Sequence, residues 1–254
     1  MDRRLATGVL VAGLAALGAC RPGTVRIERD PHVGDRARYR YEIDATVTRS
    51  LDGAKPTSTA VTTTLVADQK IVALTPGGVE ADVTLHRDGA AARTARVVLD
   101  RTGAIRGIEL VAGLSSDGLG LAQLGSLLPP TMAPPPRALA PGARWTISEG
   151  GLEGQGRLLR LGVIDGADVA VVRTTLSEAV DDAVAAGSSA ARLTGRLHSQ
   201  SNASYDLGDG SARRTTARSQ GSVRVRIEPP AGIDATPVLG TISYDIRVRA
   251  TRLV

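Results

Sequence analysis

Hydrophobic and polar residues alternate with a period of two along most of the chain that follows Gly34. Between residues 37 and 47, every odd position is apolar or aromatic, and every even position is charged or threonine. Similar alternation recurs in the ranges 79–86, 193–207, 217–227 and 242–249. Successive side chains of a strand point to opposite faces of a sheet, so this pattern predicts strands with one buried and one solvated face.

Turn signals between these runs predict how the strands are connected. Asp-Gly pairs occur at 52–53, 88–89, 165–166 and 209–210, which is typical of antiparallel hairpins. The sequence therefore predicts a mainly β fold of about ten strands. We expect an antiparallel, hairpin-rich curved sheet, a half-barrel or barrel, with one short Leu-rich helix. The small residues from Asp181 to Ala191 predict a loop or a single helical turn.

The predicted helix lies between Leu114 and Leu128. Leu121, Leu124 and Leu128 have helical spacing there, and Pro129-Pro130 ends the segment. A sheet with one apolar face must cover that face or curl on itself. These three leucines are therefore the candidate ligand-binding residues, as a lid over the sheet or as a filler of its hollow.

Composition shifts divide the chain into five parts. We expect a signal peptide at 1–19, a lipidated N-terminus and polar tether at 20–33, and a first β half with the helix at 34–128. A Pro-rich connection at 129–142 then leads to a second β half at 143–254.

The N-terminus carries the most specific motif. Arg3 and Arg4 precede a short apolar run that ends in small residues, which is typical of a secretory signal. Leu17-Gly18-Ala19-Cys20 resembles the lipobox of bacterial lipoproteins. The alternative is an ordinary secretory signal with an incidental cysteine. Because Cys20 is the only cysteine, the chain cannot form an intramolecular disulfide.

The resemblance implies that the signal is cut before Cys20, whose thiol receives a diacylglycerol and whose amine receives a fatty acid such as palmitate. Two or three acyl chains anchor a protein stably where one would not. In that family an Asp after the cysteine often retains the protein at the inner membrane. Arg21 stands here, so in a bacterium with two membranes the resemblance favours the outer membrane, facing the periplasm.

Composition excludes some classes of function. Aromatic residues make up 2% of the chain, so the core must consist of Val, Leu, Ile and Ala, and few side chains are available to stack on bases. The net charge of +5 is small and dispersed. Nucleic acid is therefore not an expected partner.

Arginines share one strand face in several places. These rows are either a solvated outer face that discourages aggregation or a basic surface for lipid head groups or an anionic envelope polymer. The rows contain Arg36, Arg38 and Arg40; Arg214, Arg218, Arg224 and Arg226; and Arg247 and Arg249.

Residues for catalysis or metal binding do not assemble in the sequence. His86 and His198 fall on the polar phase of strands, and His32 lies beside the tether. No metal-ligand spacing or phosphate-binding loop occurs, so the sequence predicts a protein without catalytic residues, metal or cofactor.

The layout resembles the half-barrel lipoprotein carriers and lipid-binding lipoproteins of bacterial envelopes, and also bacterial lipoproteins made of duplicated β halves. The first hypothesis is a lipid-anchored, non-catalytic envelope protein that binds a lipid or another amphipathic ligand. The second is a structural or assembly lipoprotein that contacts a protein or glycan partner. The third is an enzyme, which a cluster of buried polar side chains in a cleft would favour.

Overall fold

A computed structural model describes residues 23–76, 78–89, 91–100, 105–109, 134–149, 152–186, 189–230 and 232–253. The described chain forms strands joined by turns and short irregular segments. The strands are β1 Arg36–Leu51, β2 Thr57–Thr75, β3 Gly78–His86, β4 Arg93–Asp100, β5 Ile105–Glu109, β6 Arg144–Glu149, β7 Leu152–Ile164, β8 Ala167–Ala186, β9 Ser189–Asp206, β10 Ala212–Ile227 and β11 Val238–Leu253.

The strands form one antiparallel sheet of eleven, in the order β5-β4-β3-β2-β1-β11-β10-β9-β8-β7-β6. Most neighbours in the sheet are also neighbours in sequence, as expected for hairpins. The exception joins the first strand to the last, in a register that runs from Arg38–Leu253 to Leu51–Gly240. The mainly β, antiparallel prediction is confirmed.

Two features differ from the prediction. The described strands form an open sheet with β5 and β6 at its edges, so the closed alternative is wrong for this part of the chain. The predicted loop or helical turn at 181–191 is also wrong, because the backbone of β8 and β9 stays paired as far as Ala186 and Ser189. Cross-strand pairing there overrides the weak strand propensity of small residues. The predicted helix at 114–128 lies outside the described residues.

The apolar phase of the strands forms one buried face. Tyr41, Ile43, Leu65, Val83 and Val248 pack together across β1, β2, β3 and β11. A second cluster on β7, β8 and β9 includes Leu158, Val172, Ala203 and Tyr205. The first cluster therefore combines strands of both predicted halves in one continuous sheet, because β11 belongs to the second half.

The segment that precedes β1 packs on the second cluster. Val25 and Leu139 form an isolated antiparallel bridge, with N–H···O distances of 2.9 and 2.8 Å. Ile27 and Leu139 are buried, at 5% and 1% exposure. Part of the predicted tether and part of the predicted Pro-rich connection thus cover β7 and its neighbours.

Glycine lets the only tryptophan lie flat on the sheet. Trp145 on β6 lies directly opposite Gly156 on β7. A Cβ atom at Gly156 would overlap the indole ring. The indole ring of Trp145 therefore fills the space above β7 where Gly156 has no side chain.

We expect Gly156→Ala to destabilise the protein by about 1–3 kcal/mol, because the indole would have to move out of a packed position. Urea unfolding followed by Trp145 fluorescence measures this. Gly162→Ala is the matched control on the same strand, where the new methyl group would meet only the flexible end of Arg160. Equal stability of the two variants would contradict this account of the packing.

Candidate functional site

The residues that sequence analysis placed in a site are not among those described. Cys20, Leu121, Leu124 and Leu128 all lie outside the described ranges. Their roles in lipidation and ligand binding stay predictions. The described residues instead present two surfaces with the character of a site, one apolar and one polar.

The apolar surface continues the buried face toward the β1–β2 turn. On that face, Val61 on β2 is 48% exposed and Leu51 on β1 is 42% exposed. Val47, Ile242 and Tyr244 lie on the same face between them and are partly buried. We call these five residues the open apolar strip.

Three polar groups lie on or beside the open apolar strip. Arg49 lies between Val47 and Leu51 on the same face of β1, and it is exposed, without an ion pair to any described residue. The Tyr244 ring folds over Gly221 of the next strand. Partial burial, followed by the nearby Glu178 carboxylate, raises the pKa of Tyr244 to about 12. The strip therefore combines an apolar floor with Arg49, which has no ion pair in the described chain, a neutral hydroxyl group and a nearby carboxylate.

The polar surface is a cleft of about 940 Å³ at the opposite end of the sheet. It lies between the outer faces of β1 to β4 and the turns that follow β7 and β9. Its charged lining residues are Arg36, Arg38, Lys70, Arg213 and Arg252 together with Asp68, Asp82, Asp165 and Asp209.

Ion pairs within the lining and to residues beside it neutralise most of these charges. Asp68 binds both Arg38, at 3.2 Å, and His86, at 2.9 Å. Asp209 accepts hydrogen bonds from Arg252 Nη1 at 2.6 Å and from the Ser211 N–H at 2.8 Å. The cleft thus offers neither an excess of carboxylates for a cation nor a strong field for an anion.

Hydrogen bonding controls the protonation of Asp209. Partial burial by itself would raise the pKa of this carboxyl, but the bonds from Ser211 and Arg252 together outweigh burial and hold the pKa below its usual value. The ion pair between Asp209 and Arg252 therefore holds the turn between β9 and β10 against the last strand, and Asp209 stays charged in mild acid.

The predicted arginine rows are largely paired with acids. Arg218 lies 2.6 Å from Asp245, Arg226 lies 2.5 Å from Glu228, and Arg249 lies 3.8 Å from Glu42. In the described part of the chain Arg36, Arg40 and Arg224 form no such pair. The rows mainly have the character of a solvated face with alternating charges.

The histidines occupy surface positions. His32, His86 and His198 are exposed, and the first two lie near Asp35 and Asp68. No group of three or more His, Cys, Asp or Glu residues in the described ranges could hold a metal ion. No helix in the same ranges is long and apolar enough to span a bilayer.

Comparisons with known proteins provide little guidance. No protein-family model matches the sequence, and no curated protein matches it. Among solved structures, the chain is similar to a loop-deletion mutant of OmpT, an outer membrane protein of Vibrio cholerae. That match has 8% identity and a TM-score of 0.18, and it covers 87% of this chain and 100% of the other.

We expect Asp209→Asn to lower stability at neutral pH by about 0.5–1 kcal/mol, the range for a partly exposed charge pair. Because the folded pKa is depressed, this stabilisation is complete above the unfolded carboxyl pKa of about 3.9 and is lost as pH falls through the folded pKa. Urea unfolding of both proteins at pH 7 and below pH 3 should show the difference shrink in acid. Asp234→Asn, an exposed loop position, is the control and should have little effect at either pH.

Proposed function

We propose that the protein is a non-catalytic, lipid-anchored protein of the bacterial cell envelope that binds an amphipathic ligand on the open apolar strip. One observation carries the ligand proposal. The apolar phase of the sheet continues past its buried core into half-exposed side chains around Arg49, which forms no ion pair with a described residue. An acyl chain on this floor, with an anionic group at Arg49, fits that arrangement.

Covering the open apolar strip with an acyl chain is favourable, because it removes apolar side chains from water. Covering a half-exposed aliphatic side chain contributes part of the about 1.5–3 kcal/mol that complete burial provides, and exposed apolar side chains that form one strip mark interaction surfaces. A carboxylate or phosphate at Arg49 would fix the orientation of the ligand, because a guanidinium can donate two parallel hydrogen bonds to two oxygens of either group. The ligand class is therefore a fatty acid or a phospholipid.

Removing apolar character at the β2 end of the strip should weaken binding. We expect Val61→Asp to reduce the affinity for a fluorescent fatty acid about tenfold, which corresponds to about 1.4 kcal/mol. Val163→Asp is the matched control, since Val163 is 66% exposed on β7 at the other end of the sheet. Fluorescence titration of the purified mature protein measures both.

Equal binding by the two variants would contradict the strip as the site. A wild-type protein that binds no acyl probe at all would instead favour the structural or assembly role, in which the exposed sheet contacts a protein or glycan partner. Arg49→Ala should weaken a carboxylate probe while leaving the matching alcohol unchanged.

The envelope anchor rests on the lipobox resemblance of Leu17-Gly18-Ala19-Cys20. Outer-membrane placement rests on Arg21, which follows the cysteine. The docked segment at 23–27 supports an anchor close to the folded domain, because few residues separate Cys20 from Val25.

We expect Cys20→Ala to move the protein from the membrane fraction to a soluble or unprocessed form. Fractionation with mass spectrometry of the N-terminal peptide checks this. Arg21→Ala keeps the cysteine and should stay in the membrane fraction. Unchanged membrane association and unchanged N-terminal mass in Cys20→Ala would refute lipidation.

A further inference from the structure

Three arginines line up across the outer face of β6, β7 and β8. Arg144 lies directly opposite Arg157, and Arg157 lies directly opposite Arg173. Directly opposed residues share a face and are spaced about 5 Å apart, so the three side chains form a row. All three are exposed. We call this row the arginine ladder.

The arginine ladder has no counter-charge within the described chain. None of its members forms an ion pair there, and Arg173 alone has a hydrogen-bond partner, the neutral Asn202 Oδ1 at 3.0 Å. The adjacent row on one side is uncharged and consists of Thr146, Gln155 and Thr175, and the adjacent row on the other side contains another arginine, Arg160, opposite Val171. This differs from the arginine rows on β10 and β11, where carboxylates interleave with several of the arginines.

Three adjacent arginines without a counter-charge in the described chain favour the binding of an anion from outside the protein. Like charges directly opposite each other on a sheet repel, and a bound anion removes that repulsion. Guanidinium groups pair with phosphate oxygens in two-point geometry, and they are more weakly hydrated than ammonium groups. A surface that bears many phosphates would therefore satisfy all three side chains at once.

The chain places the arginine ladder close to the anchor. Val25 is fixed by its bridge to Leu139, which packs with Ala143 and Leu158 beside the first two strands of the ladder. Four residues separate Cys20 from Val25, so the five Cα–Cα steps between them span at most about 18 Å. A lipid on Cys20 would therefore hold the β6 edge of the sheet near the bilayer surface.

We propose that the arginine ladder of Arg144, Arg157 and Arg173 binds the anionic head groups of the bilayer that carries the Cys20 lipid. This inference rests on the lipidation of Cys20 proposed above. The ladder orients the domain with its β6 edge toward the membrane. The open apolar strip lies on the other face of the sheet and stays accessible to an amphipathic ligand.

The single tryptophan gives a direct test, because Trp145 follows Arg144 on β6. The mature lipidated protein is reconstituted into phosphatidylcholine vesicles, or into vesicles of equimolar phosphatidylcholine and phosphatidylglycerol, that contain a dansyl-labelled head group. We expect energy transfer from Trp145 to dansyl to be at least about twofold higher with the anionic lipid. The increase should vanish near 1 M salt, where the Debye length is about 3 Å.

Charge reversal in the ladder should abolish the response to anionic lipid. The double variant Arg157→Glu and Arg173→Glu is compared with Arg224→Glu, an exposed arginine on β10 without an ion pair in the described structure. We expect Arg224→Glu to behave as the wild type does. Should the double variant fail to fold by circular dichroism, Arg157→Gln, which removes the charge but keeps a polar side chain, should lose part of the response.

Other outcomes would overturn the proposal. These are a wild type that ignores anionic lipid, equal losses in the ladder variant and Arg224→Glu, or binding of a soluble anionic polysaccharide without any response to anionic vesicles. Failure of lipidation has a separate signature, namely an unmodified N-terminal mass and release from both kinds of vesicle. A lipidated protein that remains bound but shows no anionic response would refute the ladder alone.

Discussion

The pairing of the first strand with the last connects the two groups of strands. Fourteen residues of β1 are in register with β11, and every other neighbouring pair joins strands that follow each other in sequence. Ile43 on β1 and Val248 on β11 lie opposite each other in the same buried cluster. Without this pairing, two long strands would each expose an edge, and the first core cluster would lose one side.

The chain has few aromatic residues, and in its sheet large side chains lie on glycines of the neighbouring strand. Trp145 lies on Gly156, Leu51 lies on Gly240, and Tyr244 lies on Gly221, each across a pair of neighbouring strands. In each case the large side chain fills the space above a strand that offers no side chain of its own. Close packing of this kind keeps dispersion contacts that a Val- and Ala-rich sheet would otherwise lack.

Some arginines of the outer face lie beside carboxylates, whereas others have no acidic partner among the described residues. Arg38, Arg218 and Arg249 face carboxylates on neighbouring strands, so they add little external field. Arg144 and Arg157 face each other. The proposed membrane contact and the proposed ligand strip consequently use opposite faces of one sheet, and binding to a bilayer would leave the strip open.

The β class, the antiparallel hairpins and the apolar phase follow from the sequence alone, because alternation and Asp-Gly turns are local signals. Leu17-Gly18-Ala19-Cys20, which resembles a lipobox, and the exposed phase of the arginines are also visible in the sequence. Which arginines face an acid depends on strand register, since Arg144, Arg157 and Arg173 come from three separate strands and their alignment appears only in the folded sheet. The burial of Ile27 and Leu139 also depends on the folded structure. Their segments read as a polar tether and a Pro-rich connection, and their burial follows from contacts between residues far apart in the chain.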